Sequence, residues 1–391
     1  MTNDFDSRSD EACEFPNSQT RMRETLSCLH ASDDTCDRVF ARAAGRMRRR
    51  PGHARPLALV AVVTVACALV AGGAAYAVVN GNLFERAWGN HGRGEVTPWT
   101  HDGLSFSRSY GMVDGDSVPA ELSACAEEVG YTISAHGYTL SIGSLVVDEN
   151  GCGAVDFVLT NPDGIDYNPE YGTPGELVFG DDSDLRGVGL YFGEPDEVGI
   201  PDFPSHEAIY DEDASTDTEV RGTIYFASFK GASSLEKGIR WEMSFAGDVT
   251  DTGESSKSER VVTDAFIPSR GASSKPFAGE EGSIASLSPF SLVLDMDGDR
   301  DDIYEFSPDR VALQLGDGSE VVVQDMAPDP ETGESQINYY TASAPEDMST
   351  TIFTLTQLVD VDDVVGVHVE GHSHMRDGGE IPVDQVLAPT E

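Results

Sequence analysis

A run of 23 residues, LALVAVVTVACALVAGGAAYAVV from Leu57 to Val79, contains no acidic or basic side chain. As a helix it would be roughly 34 Å long, enough to cross a hydrocarbon layer of about 30 Å. The run predicts a membrane span, and everything else must then be assigned to one side of it. Arg38, Arg42, Arg46, Arg48, Arg49, Arg50 and Arg55 crowd its N-terminal flank, whereas Arg86 and Arg93 beyond it are offset by Glu85 and Glu95. Excess arginine marks the cytoplasmic side, so residues 1–56 are expected inside and the remainder outside. Ala75-Tyr76-Ala77 has the form of a signal-cleavage site, but a signal peptide has a short basic leader and here 56 residues precede the run, which favours an uncleaved anchor. The spacings Ala68 to Gly72 and Gly73 to Ala77 would let two spans pack closely, although an Ala/Gly-rich helix acquires such spacings readily by chance.

Charge divides at the same place. Residues 1–56 hold ten arginines against nine acids, while the rest holds 15 basic and 60 acidic residues, a balance of −45. Such acidity opposes nucleic-acid binding, which needs a basic face to displace counterions, and opposes docking on anionic lipid. With 39% hydrophobic and 8% aromatic residues the chain can nevertheless build real cores, which separates it from disordered acidic sequences.

Cys13, Cys28 and Cys36 fall on the reducing side and Cys67 in the span, which leaves Cys125 and Cys152 outside. An isolated pair in an oxidising compartment predicts a disulfide, worth roughly 3–4 kcal/mol by loop closure. Cys28-x-His30 with Cys36 matches no standard zinc spacing and lacks an evident fourth ligand. In the inner segment Ser32, Asp33 and Asp34 resemble a helix start and the arginines near Arg50 its end. Val39, Phe40 and Ala43 give this helix an apolar stripe that could hold a cytoplasmic partner, set against the plainer reading of a basic helix meeting lipid headgroups.

From Gly103 onward the chain alternates apolar and polar residues in short runs punctuated by Gly, Pro, Asn and Asp, as in antiparallel sheets. Such runs include Tyr138 to Asp148, Ala154 to Gly164, Gly187 to Phe192, Thr223 to Phe229 and Ile239 to Phe245. Val155, Phe157 and Leu159 share one face of theirs. GASSKPFAGEEG, Gly271 to Gly282, reads as a linker, and strand-like runs resume after it. The clear helical candidate outside is Ala120 to Val129. SLVVDENG (Ser144 to Gly151) and SLVLDMDG (Ser291 to Gly298) look like an internal repeat, each reading as one arm and the turn of a hairpin. The expected fold is mainly β: a cytoplasmic segment with a juxtamembrane helix (1–56), one transmembrane helix (57–79), a linker (80–103), a β-sandwich of immunoglobulin-like type (104–270), a linker (271–282) and a second such sandwich (283–391).

Two clusters suggest ligands. DMDGDRDD offers Asp295, Asp297, Asp299 and Asp301 as calcium ligands, but an EF-hand starting at Asp295 would need Gly and Glu where Arg300 and Phe306 stand. With so acidic an exterior, a solvated turn is the simpler expectation, as for Asp211 to Glu219. HVEGHSH carries three of the nine histidines. If Val367 and Val369 face a core, His368, Glu370 and His372 project together with His374 one step further, a set able to bind zinc or copper or to sense pH. Polar residues alternating with valine are also what an exposed strand face requires. No nucleophile elbow, phosphate-binding glycine loop or zinc-protease helix motif is present, so the sequence gives no reason to expect an enzyme or a resident cofactor.

HASDDTCDRVFARAAGRMRRR, the span ending GGAAYAVVNG, GYTLSIGSLVVDENG and the late DGSEVVVQD together resemble a bacterial family of membrane-anchored extracytoplasmic proteins. Members carry an ectodomain of unknown function, and some are encoded with extracytoplasmic-function sigma factors and regarded as anti-sigma-like. The resemblance implies a regulator with a sigma factor as its cytoplasmic partner. The His-x-x-x-Cys-x-x-Cys motif of zinc-containing anti-sigma proteins is absent after His30. Two functions follow as expectations: a transmembrane sensor or regulator, and an anchored surface module for a protein, glycan or cation ligand in which the inner segment serves only insertion.

Overall fold

Alternation of apolar and polar residues gives this chain sheets that are buried on at least one face, and in the computed structural model strands occupy 57% of the described residues, so the fold is mainly β. The structure describes residues 83–88, 96–101, 103–111, 118–168, 173–180, 183–194, 202–246, 259–296, 303–343, 350–376 and 378–390. Leu57 to Val79, the stripe of Val39, Phe40 and Ala43, and Asp297, Asp299 and Asp301 lie outside these residues. Among the described residues no helix is long and apolar enough to cross a membrane.

In chain order, helix α1 (Leu83–Trp88) precedes the hairpin of β1 (Val96–His101) and β2 (Leu104–Ser109). A short helix α2 (Ala120–Ser123) leads to β3 (Glu127–Glu128), β4 (Thr132–Ala135), β5 (Tyr138–Val147), β6 (Cys152–Thr160), β7 (Leu185–Phe192), β8 (Ser205–Tyr210) and β9 (Glu219–Ala227). Helix α3 (Ala232–Leu235), β10 (Ile239–Phe245) and β11 (Glu259–Val262) follow. Strands β3, β5, β6, β9 and β8 lie side by side in one sheet, with β4 also on β5, and β11, β10 and β7 form another. The two sheets enclose one core. Tyr138, Leu140 and Ile142 of β5 and Val155, Phe157 and Leu159 of β6 meet Leu190 of β7 and Trp241 and Met243 of β10 there. The predicted common face of β6 is therefore observed, all three side chains being fully buried.

The remaining strands are β12 (Lys275–Ala278), β13 (Ile284–Leu287), β14 (Ser291–Asp295), β15 (Ile303–Leu315), β16 (Glu320–Asp325), β17 (Ser335–Ile337), β18 (Tyr339–Ser343), β19 (Thr350–Leu355), β20 (Val364–Met375) and β21 (Glu380–Pro389). With β1 and β2 they form a 12-stranded sheet in the order β1-β2-β17-β16-β15-β20-β21-β12-β13-β14-β19-β18. This sheet folds back on itself, since Leu292, Leu294 and Phe353 from one half pack in one core with Val311, Leu313, Val367 and Val369 from the other. Residues 271–282 contribute β12 and a 3-10 turn, Glu280–Gly282.

Three expectations need correction. Cys125 and Cys152 are free thiols, not a disulfide. Cys152 is buried at the start of β6 in a small cluster with Ala227 and Ile352, whereas Cys125 packs against the separate cluster around Trp88. The helix expected from Ala120 to Val129 is one turn, Ala120–Ser123, because Glu127 and Glu128 are drawn into pairing with Leu145 and Ser144 of β5. The two repeat segments also differ: β5 and β6 form a hairpin, whereas β14 pairs with β13 and β19 and not with the following β15.

Candidate functional site

The six residues Leu83 to Trp88 are too few to be stable alone as a helix, and they are held by both sheet systems. Leu83, Phe84, Ala87 and Trp88 are buried, with Phe84, Ala87 and Trp88 at 0% exposure. The Trp88 ring lies 5.1 Å from Phe290 and 5.9 Å from Tyr225, centroid to centroid, and its indole N–H donates to the Leu355 carbonyl at 2.9 Å. The Ala87 carbonyl accepts from the Tyr225 hydroxyl and, at 3.1 Å, from the Tyr340 hydroxyl. The two phenol rings are stacked with centroids 3.5 Å apart. Arg86 pairs with Asp156 of β6, whose other carboxylate oxygen accepts the Ser144 N–H at 2.5 Å. Tyr225 and Asp156 belong to the paired sheets, Tyr340 and Leu355 to the folded one, so α1 is a wedge bonded on both sides. Burial raises the Tyr225 and Tyr340 pKa values, which keeps both phenols as donors.

Beside this wedge the β1–β2 hairpin brings in Arg108, whose Nη1 lies 3.3 Å from Glu207 of β8, with side-chain exposures of 3% and 12%. The guanidinium also lies over Trp99 and Tyr340, 5.4 and 5.8 Å from the ring centroids. Burial works against the Arg108 charge, but Glu207 raises its pKa overall. Burial likewise raises Glu207, against the opposing pull of Arg108.

A second junction joins the two repeat segments in space. Asp148, at the β5–β6 turn, is buried, and its carboxylate accepts from the Ser288 and Ser291 hydroxyls, both at 2.6 Å, and from the N–H groups of Asn150 and Cys152 at 3.0 and 2.9 Å. Asn150 in the same turn donates to the Ser286 carbonyl and to Ser291 Oγ. Gly151 closes the turn with φ +81°, where a Cβ would come within 2.4 Å of Gly231. Burial pushes Asp148 up to about 6, against the four donors that pull it down. The sign follows: between its ordinary value near 3.8 and 6 the folded chain holds a proton the unfolded chain has released, so this contribution is present below about pH 4 and is lost as pH rises through 6. Denaturation midpoints from pH 4 to 7 should therefore fall in the native chain relative to Asp148→Asn; a relative rise would mean that the four donors outweigh burial.

The histidine cluster is on one strand face but not at one point. In β20, Val367 and Val369 are buried, as the alternation predicts. His368 lies between Arg310 and Asp384, each 3.0 Å away, with Glu370 at 3.6 Å. His372 Nδ1 is 2.9 Å from Asp309, and His374 Nδ1 is 3.4 Å from Glu380. Each imidazole thus has its own carboxylate on a neighbouring strand, and among the described residues no three His, Cys, Asp or Glu side chains are gathered to hold a metal. Asp295, the described member of the acidic run, lines a groove of about 310 Å³ with Ile284, Val293 and Thr350. The wedge residues escaped the sequence reading because LFERAW resembles a linker. Its one signal was an aromatic and apolar content unusual between a span and a domain.

No family model matches this chain. No curated protein matches it either. Among solved structures, similarity is found to the conserved domain protein from Bacillus anthracis, with 10% identity, a TM-score of 0.35, and coverage of 70% of this chain and 94% of that one. A second, described as pT26-6p, has 10% identity, a TM-score of 0.19, and coverage of 69% and 67%.

Proposed function

We propose that the chain is a single-pass, membrane-anchored extracytoplasmic sensor or regulator, anti-sigma-like in organisation, whose exterior consists of immunoglobulin-like β-sandwiches. The observation that carries this reading is the wedge. Only Asn80, Gly81 and Asn82 separate the predicted span from Leu83 in the sequence. The helix that follows is bonded to both sheet systems through Asp156, Tyr225, Tyr340 and Leu355. A ligand that favours a different arrangement of the sheets would bear on α1, which both sheet systems hold and which follows the predicted span closely in sequence.

The test is affinity capture of the full chain from its own membranes, compared with a chain lacking residues 1–56 before the anchor. The reading expects a sigma factor or another regulator in the first capture and its loss in the second. Identical captures would reject it and favour the anchored surface module.

A further inference from the structure

The outer face formed by β15, β20 and β21 carries a second arrangement. Ser307 Oγ of β15 lies 3.2 Å from His374 Nε2 of β20, and His374 Nδ1 lies 3.4 Å from Glu380 Oε1 of β21. The Glu380 carboxylate favours the tautomer with its proton on Nδ1, and in that tautomer the ring presents Nε2 to the serine hydroxyl as an acceptor. This is the order nucleophile, base and orienting carboxylate that acyl transfer requires. Three strands supply one group each. Glu380 is directly opposite His374 in the β20–β21 register.

Ser307 is in an irregular stretch. The β15–β20 register shifts between Ile303 and Glu305 and again between Pro308 and Arg310, so bulges bracket it on both sides. Bulges re-aim side chains and gather beside functional residues. Opposite this stretch stands Gly371, where a Cβ would fall 2.4 Å from the Ser307 carbonyl oxygen, so β20 approaches the serine backbone as only glycine allows. His372, opposite Ser307 in the register, faces Asp309 through Nδ1 at 2.9 Å.

We propose that Ser307, His374 and Glu380 form an ester-hydrolysing site, with Ser307 and His374 catalytic and Glu380 positioning the imidazole. Ser307 Oγ bonds to the ester carbonyl carbon while its proton passes to His374 Nε2. The carbon–oxygen bond to the alcohol breaks and the alcohol leaves with that proton. Water, deprotonated by the same nitrogen, then attacks the acyl-serine, releasing the carboxylic acid and restoring the hydroxyl. Asp309, Glu370, Glu380 and Asp384 on or beside this face select uncharged or cationic esters and repel anionic ones.

The full chain, in detergent or membranes, should form an adduct with a fluorophosphonate probe that peptide mapping places on Ser307. It should also hydrolyse p-nitrophenyl butyrate. Ser307→Ala should abolish both, and His374→Gln should lower each at least tenfold. Glu380→Gln should lower kcat with little change in KM, and Glu380→Asp should restore part of it. Denaturation midpoints equal to that of the parent establish that each variant is folded. Absence of an adduct on Ser307 in folded protein would overturn the proposal. So would ester hydrolysis by Ser307→Ala at the parent rate, which would assign turnover to the imidazoles alone.

Discussion

Trp88→Ala is expected to lower the unfolding free energy by about 3–5 kcal/mol, the range for truncating a fully buried aromatic side chain. The ring is at 0% exposure, packs on Phe84, Tyr225 and Phe290, and uses its N–H on Leu355. Nothing nearby can close the gap cheaply, because the walls come from two sheet systems braced by their own ladders. The loss should show in denaturant as a lower midpoint and in limited proteolysis as cleavage near α1. Trp88→Phe keeps much of the packing and leaves the Leu355 carbonyl without its donor, so its cost should be smaller, about 1–3 kcal/mol. Equal midpoints for Trp88→Ala and the parent would mean that α1 contributes nothing to the fold and would remove the mechanical argument for sensing.

The second large effect belongs to Arg108. Replacing it with Met leaves Glu207 buried without its cation, and breaking a buried pair from one side costs about 3–5 kcal/mol. The double replacement Arg108→Met with Glu207→Leu should recover most of that loss, since it removes both desolvated groups together. Recovery in the double variant identifies the pair as the cause. A double variant as weak as the single one would instead place the cost in the contacts of the Arg108 guanidinium with Trp99 and Tyr340. Either way the β1–β2 hairpin should loosen first, because its ladder to the sheet is the short pairing of Phe106 and Ser107 with Ser335 and Gln336 of β17.

Much of the strand content was legible in the sequence, and the reason is local. Val155, Phe157 and Leu159, or Val367 and Val369, are apolar residues at every second position of runs rich in β-forming residues, and a strand turns alternate side chains to opposite faces whatever it pairs with. Pairing itself was not legible. SLVVDENG and SLVLDMDG read alike, yet β5 turns back onto β6 while β14 joins β13 and β19. Nor does sequence spacing show which cysteines meet. Cys125 and Cys152 are the two that follow the uncharged run, but their side chains belong to different clusters.

The candidate sites show the same division. The histidine run was visible as a cluster, and its strand face was anticipated from the valines. What each histidine touches depended on β15 and β21, which supply Asp309, Glu380, Asp384 and Arg310 across the register. Ser307 had no motif around it. It comes beside His374, 67 positions later, because two bulges set the register of β15 on β20.

By itself the sequence determined the uncharged run from Leu57 to Val79, the separation of an arginine-rich N-terminus from a strongly acidic remainder, and the alternation that makes that remainder β. These are properties of neighbouring residues, set by transfer energies and backbone geometry. Tertiary structure alone decided that LFERAW is a buried wedge, that Asp148 is received by Ser288 and Ser291, and that Ser307, His374 and Glu380 share a face. Each of those depends on partners far along the chain, brought together by strand order and register, which nearest neighbours do not encode.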